Sequence, residues 1–211
     1  MSTDRLITEL AASHEPVADP RLRVSAALVA GWLAALAAML VFLGPPLQEL
    51  RHTGIASFAV KIGYTFAIAV LTGMAAVAAG RPGRRLAGPI LLILLPAAIL
   101  SFVALLELIS VEPSARAGVA LGTSYWDCVR SVVLASLPVL VGMVWAYRIL
   151  APTRLPVAGF LIGLSAGAAG AMAFALYCHE ASAAFLLAAY TPAMLVPAVL
   201  GALAARPLLR W

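Results

Sequence analysis

The sequence predicts an all-α fold, a polytopic membrane protein with six transmembrane helices and a short cytoplasmic amino-terminal helix. Three observations carry that prediction. Of the 211 residues, 64% are hydrophobic and 11% charged, whereas soluble domains run at about 45–50% apolar and about 25% charged. The apolar residues gather into six runs of membrane-spanning length. Short segments bearing Pro, Gly and Arg separate these runs and resist helix continuation. Sixteen glycines and abundant alanine suit close helix packing in lipid, where small residues let backbones approach.

Crossing roughly 30 Å of hydrocarbon takes about 20 residues at about 1.5 Å each. The runs are residues 24–44, 56–79, 86–109, 129–150, 156–178 and 183–205. Gly44-Pro45-Pro46, Gly80-Arg81-Pro82-Gly83, Glu112-Pro113 and Ala151-Pro152-Thr153-Arg154 punctuate them. Pro96, Pro138, Pro192 and Pro197 lie inside runs, where neighbouring helices re-satisfy the freed carbonyls and kinks are expected. The domain reading is therefore a cytoplasmic segment over residues 1–23 and a six-helix membrane domain over 24–211.

Lys and Arg in the flanks set the orientation. With the amino terminus in the cytoplasm, one side receives Arg5, Arg21, Arg23, Arg81, Arg84, Arg85, Arg148, Arg154, Arg206 and Arg210, and the other Arg51, Lys61, Arg116 and Arg130. Ten against four, with six spans, places both termini on the cytoplasmic side. Glu49, Glu107, Glu112, Asp127 and Glu180 then make the outer mouth acidic. The net charge of +5 is spread over short loops without a block, which argues against direct nucleic-acid binding. Asp4, Glu9, Glu15 and Asp19 break any signal-peptide pattern, so the amino terminus is expected to be retained.

Cys128 opens the fourth span and Cys178 closes the fifth. From the inner turn around Pro152 each helix rises by about 22 residues, roughly 33 Å, so both thiols arrive at the same outer depth. Antiparallel neighbours pack about 8–10 Å apart and a disulfide needs Cα atoms about 4.4–6.8 Å apart, so a small adjustment lets inward-facing cysteines pair. Asp127, His179 and Glu180 adjoin them, with Glu107 at the outer end of the third span. Thiolate and imidazole suit zinc or another soft metal ion, with carboxylates completing the shell. No C-x-x-C or H-E-x-x-H spacing is present, so the residues alone leave two readings: a metal or redox site, or packing cysteines beside a solvated helix end. Lys61 and Arg130 either snorkel or pair with Glu107, Asp127 or Glu180. His14 and His52 read as solvated loop residues.

Ahead of the first span, Ser2 or Thr3 caps a short helix in which Asp4 and Glu9 favour the start and Leu6, Ile7 and Leu10 form one apolar stripe. Two to three turns are too short to stand alone in water. The stripe rests either on lipid and the bundle or in a groove of a cytoplasmic partner.

The Leu-Ile-x-x-Leu segment ending near Pro16-Val17, the Arg81-Pro82-Gly83 turn, Trp126-Asp127-Cys128, the Gly- and Ala-rich fifth span ending in Tyr177-Cys178-His179-Glu180, and the terminal Leu208-Leu209-Arg210-Trp211 together resemble the NrsF family of bacterial inner-membrane anti-sigma factors. The likeness covers nearly the whole chain and is densest from Gly122 onward; the ordered set carries it. It implies a six-span protein that holds an extracytoplasmic-function sigma factor inactive and releases it on heavy-metal or oxidative stress. It implies sensing roles for Cys128 and Cys178, and a partner-binding role for the amino-terminal segment.

A different class of function, a small transporter or metal-efflux protein, needs ionisable groups near the midplane of several spans. Here they gather at helix ends, leaving Thr72, Ser101, Ser136 and Ser165 deeper. An intramembrane enzyme is expected even less, for want of a deep nucleophile and base.

Overall fold

The computed structural model describes residues 19–46, 54–81, 86–148, 150 and 154–209. Six helical stretches are long and apolar enough to cross a membrane, and no strand occurs among the described residues. They are α1 (Pro20–Leu43), α2 (Ile55–Ala79), α3 (Ala87–Ser110), the short α4 (Arg116–Leu121) running into α5 (Tyr125–Tyr147), α6 (Leu155–Phe174), and a last span in three pieces. Those pieces are α7 (Ala183–Phe185), a π-helical turn (Leu186–Tyr190) and α8 (Thr191–Leu209). Most of the expected cytoplasmic segment, with Asp4, Leu6, Ile7, Glu9 and Leu10, lies outside the described residues.

Local chemistry sets the boundaries where hydropathy does not. α1 starts four residues ahead of its apolar run because Asp19 caps it, its carboxylate accepting from the Arg21 N–H at 3.0 Å, and Pro20 supplies a preset first turn. The fifth span ends at Phe174 rather than at Cys178. Residues 175–177 turn and 178–182 run without regular structure, until Ser182 caps α7 by accepting from the Phe185 N–H at 3.2 Å. The π-helical turn lies just ahead of Pro192, which has no N–H to offer the preceding turn.

α6 is the hub. It packs against α8, α5, α2 and α1, and most of its membrane window is buried within the protein. Glycine makes this approach available: a Cβ at Gly159 would strike the Gly201 carbonyl, one at Gly163 the Pro197 carbonyl, and one at Gly167 would lie 2.7 Å from the Met194 carbonyl. On another face a Cβ at Gly170 would lie 2.6 Å from the Ser136 nitrogen of α5. Gly159, Gly163 and Gly167 stand four residues apart, the spacing by which small residues form one helix face.

Polar side chains pin α2 across the bundle. Ser165 of α6 donates to the Ala69 carbonyl at 2.9 Å and Tyr147 of α5 to the Ala76 carbonyl at 2.7 Å, while the hydroxyls of Tyr64 and Thr191 meet at 3.0 Å. In contrast, α3 buries only Leu100 and Ala104 and rests on α2 and α7.

Candidate functional site

At the outer end of α5, Cys128 sits one turn into the helix with 1% of its surface exposed, and Cys178, in the strap that leaves α6, with 4%. Neither is in a disulfide, and the two side chains lie close to each other. The loop position of Cys178 matters, because its main chain is bound from the side by a third element. Lys61 of α2, 1% exposed, donates its amine to the Cys178 carbonyl at 2.7 Å, and its charge lies within electrostatic reach of both sulfurs. Lys61 therefore does not snorkel, and among the described residues it forms no ion pair with Glu107, Asp127 or Glu180, although the Glu180 charge is within electrostatic reach.

Tyr190 closes the other side. It is the last residue of the π-helical turn and fully buried, its hydroxyl faces both thiols, and no oxygen or nitrogen answers it. An inserted residue in a helix re-aims the side chains around it, and here the wide turn delivers Tyr190 to the cysteines. Above the pair a cavity of about 680 Å³ opens past Ser124, Asp127, Tyr177 and His179. The Tyr177 hydroxyl donates across its rim to the Gly44 carbonyl at the end of α1, 2.9 Å away.

The other predicted site residues have different work. Asp127 lines the cavity but is exposed and pairs with Arg130 at 2.9 Å, as one reading of Arg130 expected. His179 lines the cavity at the surface. Glu180 turns away and accepts from the Thr123 N–H at 2.9 Å, from its hydroxyl at 3.1 Å and from Ser124, so it ties the Cys178 strap to the turn that begins α5. Partial burial pushes its pKa up, but these donors outweigh that and hold it below the ordinary glutamate value. Gly122 allows this tie: its φ of 56° is left-handed, and a Cβ there would lie 2.6 Å from the Glu180 carboxylate. Glu107 accepts from Ser182 at 3.0 Å and from the Ala184 N–H at 2.9 Å, holding α3 to the start of the last span.

Among the described residues, no group of three or more His, Cys, Asp and Glu converges at metal-ligand spacing. The donor set is two thiols with a buried phenol behind them. It fits an ion content with two soft ligands, or a disulfide; a closed four-ligand zinc shell has no third and fourth partner among the described residues. Lys61 and Tyr190 were missed as site residues. The signal for Lys61 was a charge set inside an apolar run; Tyr190 carried none.

No solved structure matches the chain. The family model described as NrsF, negative regulator of sigma F, matches residues 10–211. A probable anti-sigma-F factor NrsF of Azospira oryzae is 34% identical over 216 aligned residues, covering all of both chains. The anti-sigma-F factor NrsF of Caulobacter vibrioides is 33% identical over 222, again covering both completely. An ordered bundle of six membrane-spanning helices, with two cysteines meeting at one end, is thus the form taken here by a chain that belongs to the NrsF family.

Proposed function

We propose that this protein is an inner-membrane anti-sigma factor. With both termini in the cytoplasm, it sequesters an extracytoplasmic-function sigma factor and releases it when Cys128 and Cys178 meet a heavy-metal ion or an oxidant. The observation that carries the sensing part is the pair of buried, neighbouring thiols beneath one cavity, in a chain with only two cysteines. Binding a soft ion replaces two S–H bonds by two metal–sulfur bonds and releases two protons. Oxidation makes one S–S bond, with two protons and two electrons passing to the oxidant. Zinc is a weaker fit than an ion content with two thiolates.

The route to the cytoplasm starts at α5. Cys128 is fixed to that helix, α5 packs along α1, and Gly31 of α1 sits so close to Val139 that a Cβ would lie 2.7 Å from its Cα. Near the other end the Arg23 guanidinium lies 4.8 Å over the Trp145 ring. A change in how α5 seats therefore reaches the first turn of α1, from which residues 1–18 lead to the sigma-binding stripe Leu6, Ile7 and Leu10, supported by Asp4 and Glu9. A hundredfold loss of sigma binding requires a differential affinity of about 2.7 kcal/mol for the signal between the two states.

Co-purification from membranes tests the reading. A sigma factor is expected to accompany the protein and to dissociate on titration with cadmium or diamide, and replacing Cys128 and Cys178 by serine should abolish the dissociation while leaving the resting complex. An unchanged dose curve in the serine variant would assign the cysteines to packing. Absence of any sigma factor would remove the anti-sigma role.

A further inference from the structure

A second cavity, of about 1000 Å³, lies at the opposite end of the bundle between α1, α2 and α3. It exists because α1 leans on α5 while α3 rests on α2 and α7, which leaves the Val70–Val77 side of α2 as the floor between them. Leu22, Leu28, Met74, Leu91 and Leu92 make the walls apolar. Its polar groups collect where α1 begins and α2 ends: Asp19, Arg21, Ser25 and Arg81. Asp19 already caps α1 and Ser25 donates to the Leu22 carbonyl at 3.0 Å. Neither Arg21 nor Arg81 pairs with a carboxylate among the described residues.

We propose that this groove is a binding site for one anionic phospholipid, its phosphate held by Arg21 and Arg81 and an acyl chain laid along α2. Depth and charge both point to that occupant. From Arg81 to Val70 the floor descends about 16 Å along the helix, which is the hydrocarbon thickness of one leaflet of a core roughly 30 Å thick. Two arginines lining one end of an apolar slot between membrane helices match a phosphate above a hydrocarbon tail, as in other basic interhelical pockets that select anionic headgroups. This site is separate from the thiol pair and does not depend on the sigma reading.

Photo-crosslinking reads the occupant directly. The full-length protein carrying benzoylphenylalanine in place of Leu92 is placed in nanodiscs of phosphatidylcholine containing a minor share of phosphatidylglycerol, irradiated, and its adducts weighed. Adducts at position 92 should be enriched in phosphatidylglycerol by about tenfold over the bilayer composition. Those from a probe at Phe102, exposed outside the groove, should match the bilayer. Arg21→Gln with Arg81→Gln should bring position 92 down to bilayer composition. Bilayer composition at position 92 without those changes would overturn the proposal. So would a cross-link to residues 1–18 of the same chain, or to a second copy.

Discussion

Lys61 shows how much a single buried charge can organise. An ammonium removed from water is tolerated only with a good partner, and here the Cys178 carbonyl accepts from it at 2.7 Å. Lys61→Met keeps the stem and deletes the donor. It is expected to cost about 1–3 kcal/mol, the penalty for breaking a buried hydrogen bond to a charged group, in detergent unfolding. Because Cys178 loses that anchor, it should also react faster with maleimide, whereas Cys128, fixed on α5, should change little. Mass spectrometry separates the two sites. Glu180 gives a pH signature of known sign. Its pKa in the folded protein lies below the unfolded value, so its tie to Thr123 stabilises above the unfolded value and fades as pH falls through the folded one. The melting temperature should therefore drop on acidification below the usual carboxylate range, and Glu180→Gln, which accepts the same hydrogen bonds without titrating, should flatten that drop.

Among elements, α6 carries the tightest tolerance. Its glycines let two main chains touch, so a methyl group there meets backbone, which cannot rotate aside. Gly163→Ala is expected to destabilise by at least about 1–3 kcal/mol, the usual penalty of overpacking. Gly63→Ala on α2, where a Cβ meets nothing within 4 Å, should stabilise by roughly 0.5–1 kcal/mol. Unfolding both variants in the same detergent checks the contrast, and equal effects would remove the close-contact account of α6. Much of the element level was readable in advance, because hydropathy alone marks a span once water is excluded. What hydropathy misses is how spans end. Asp19 and Pro20 start α1 early, and the Glu180 tie holds residues 178–182 out of helix. For the same reason Cys178 was legible as level with Cys128 but not as part of a strap, and Glu107 and Glu180, plausible ligands by composition, are consumed as fasteners. Tyr190 was illegible because its position depends on a π-helical turn, which no apolar pattern encodes.

For the whole molecule, the thiol pair and the lipid groove lie at opposite ends, and α2 borders both. Asp19, where α1 begins, lines the groove, and the sigma-docking role proposed for residues 1–18 belongs to the same end of the bundle. Deleting residues 2–12 should release the sigma factor in a pull-down and raise transcription of its regulon without stress, while membrane insertion, which depends on residues further along, stays intact. Retained repression after that deletion would remove the docking role of Leu6, Ile7 and Leu10.

Under the proposed sensing role, two sulfurs with no third His, Cys, Asp or Glu ligand among the described residues also set a stoichiometry. Each chain can be filled once, by one ion or by one two-electron oxidation. The Hill coefficient of a binding response cannot exceed the number of coupled sites, so a single chain answers dose along a simple hyperbola. Any steeper switch in the cell has to arise downstream, in the competition between released sigma factor and polymerase, or from coupling between chains.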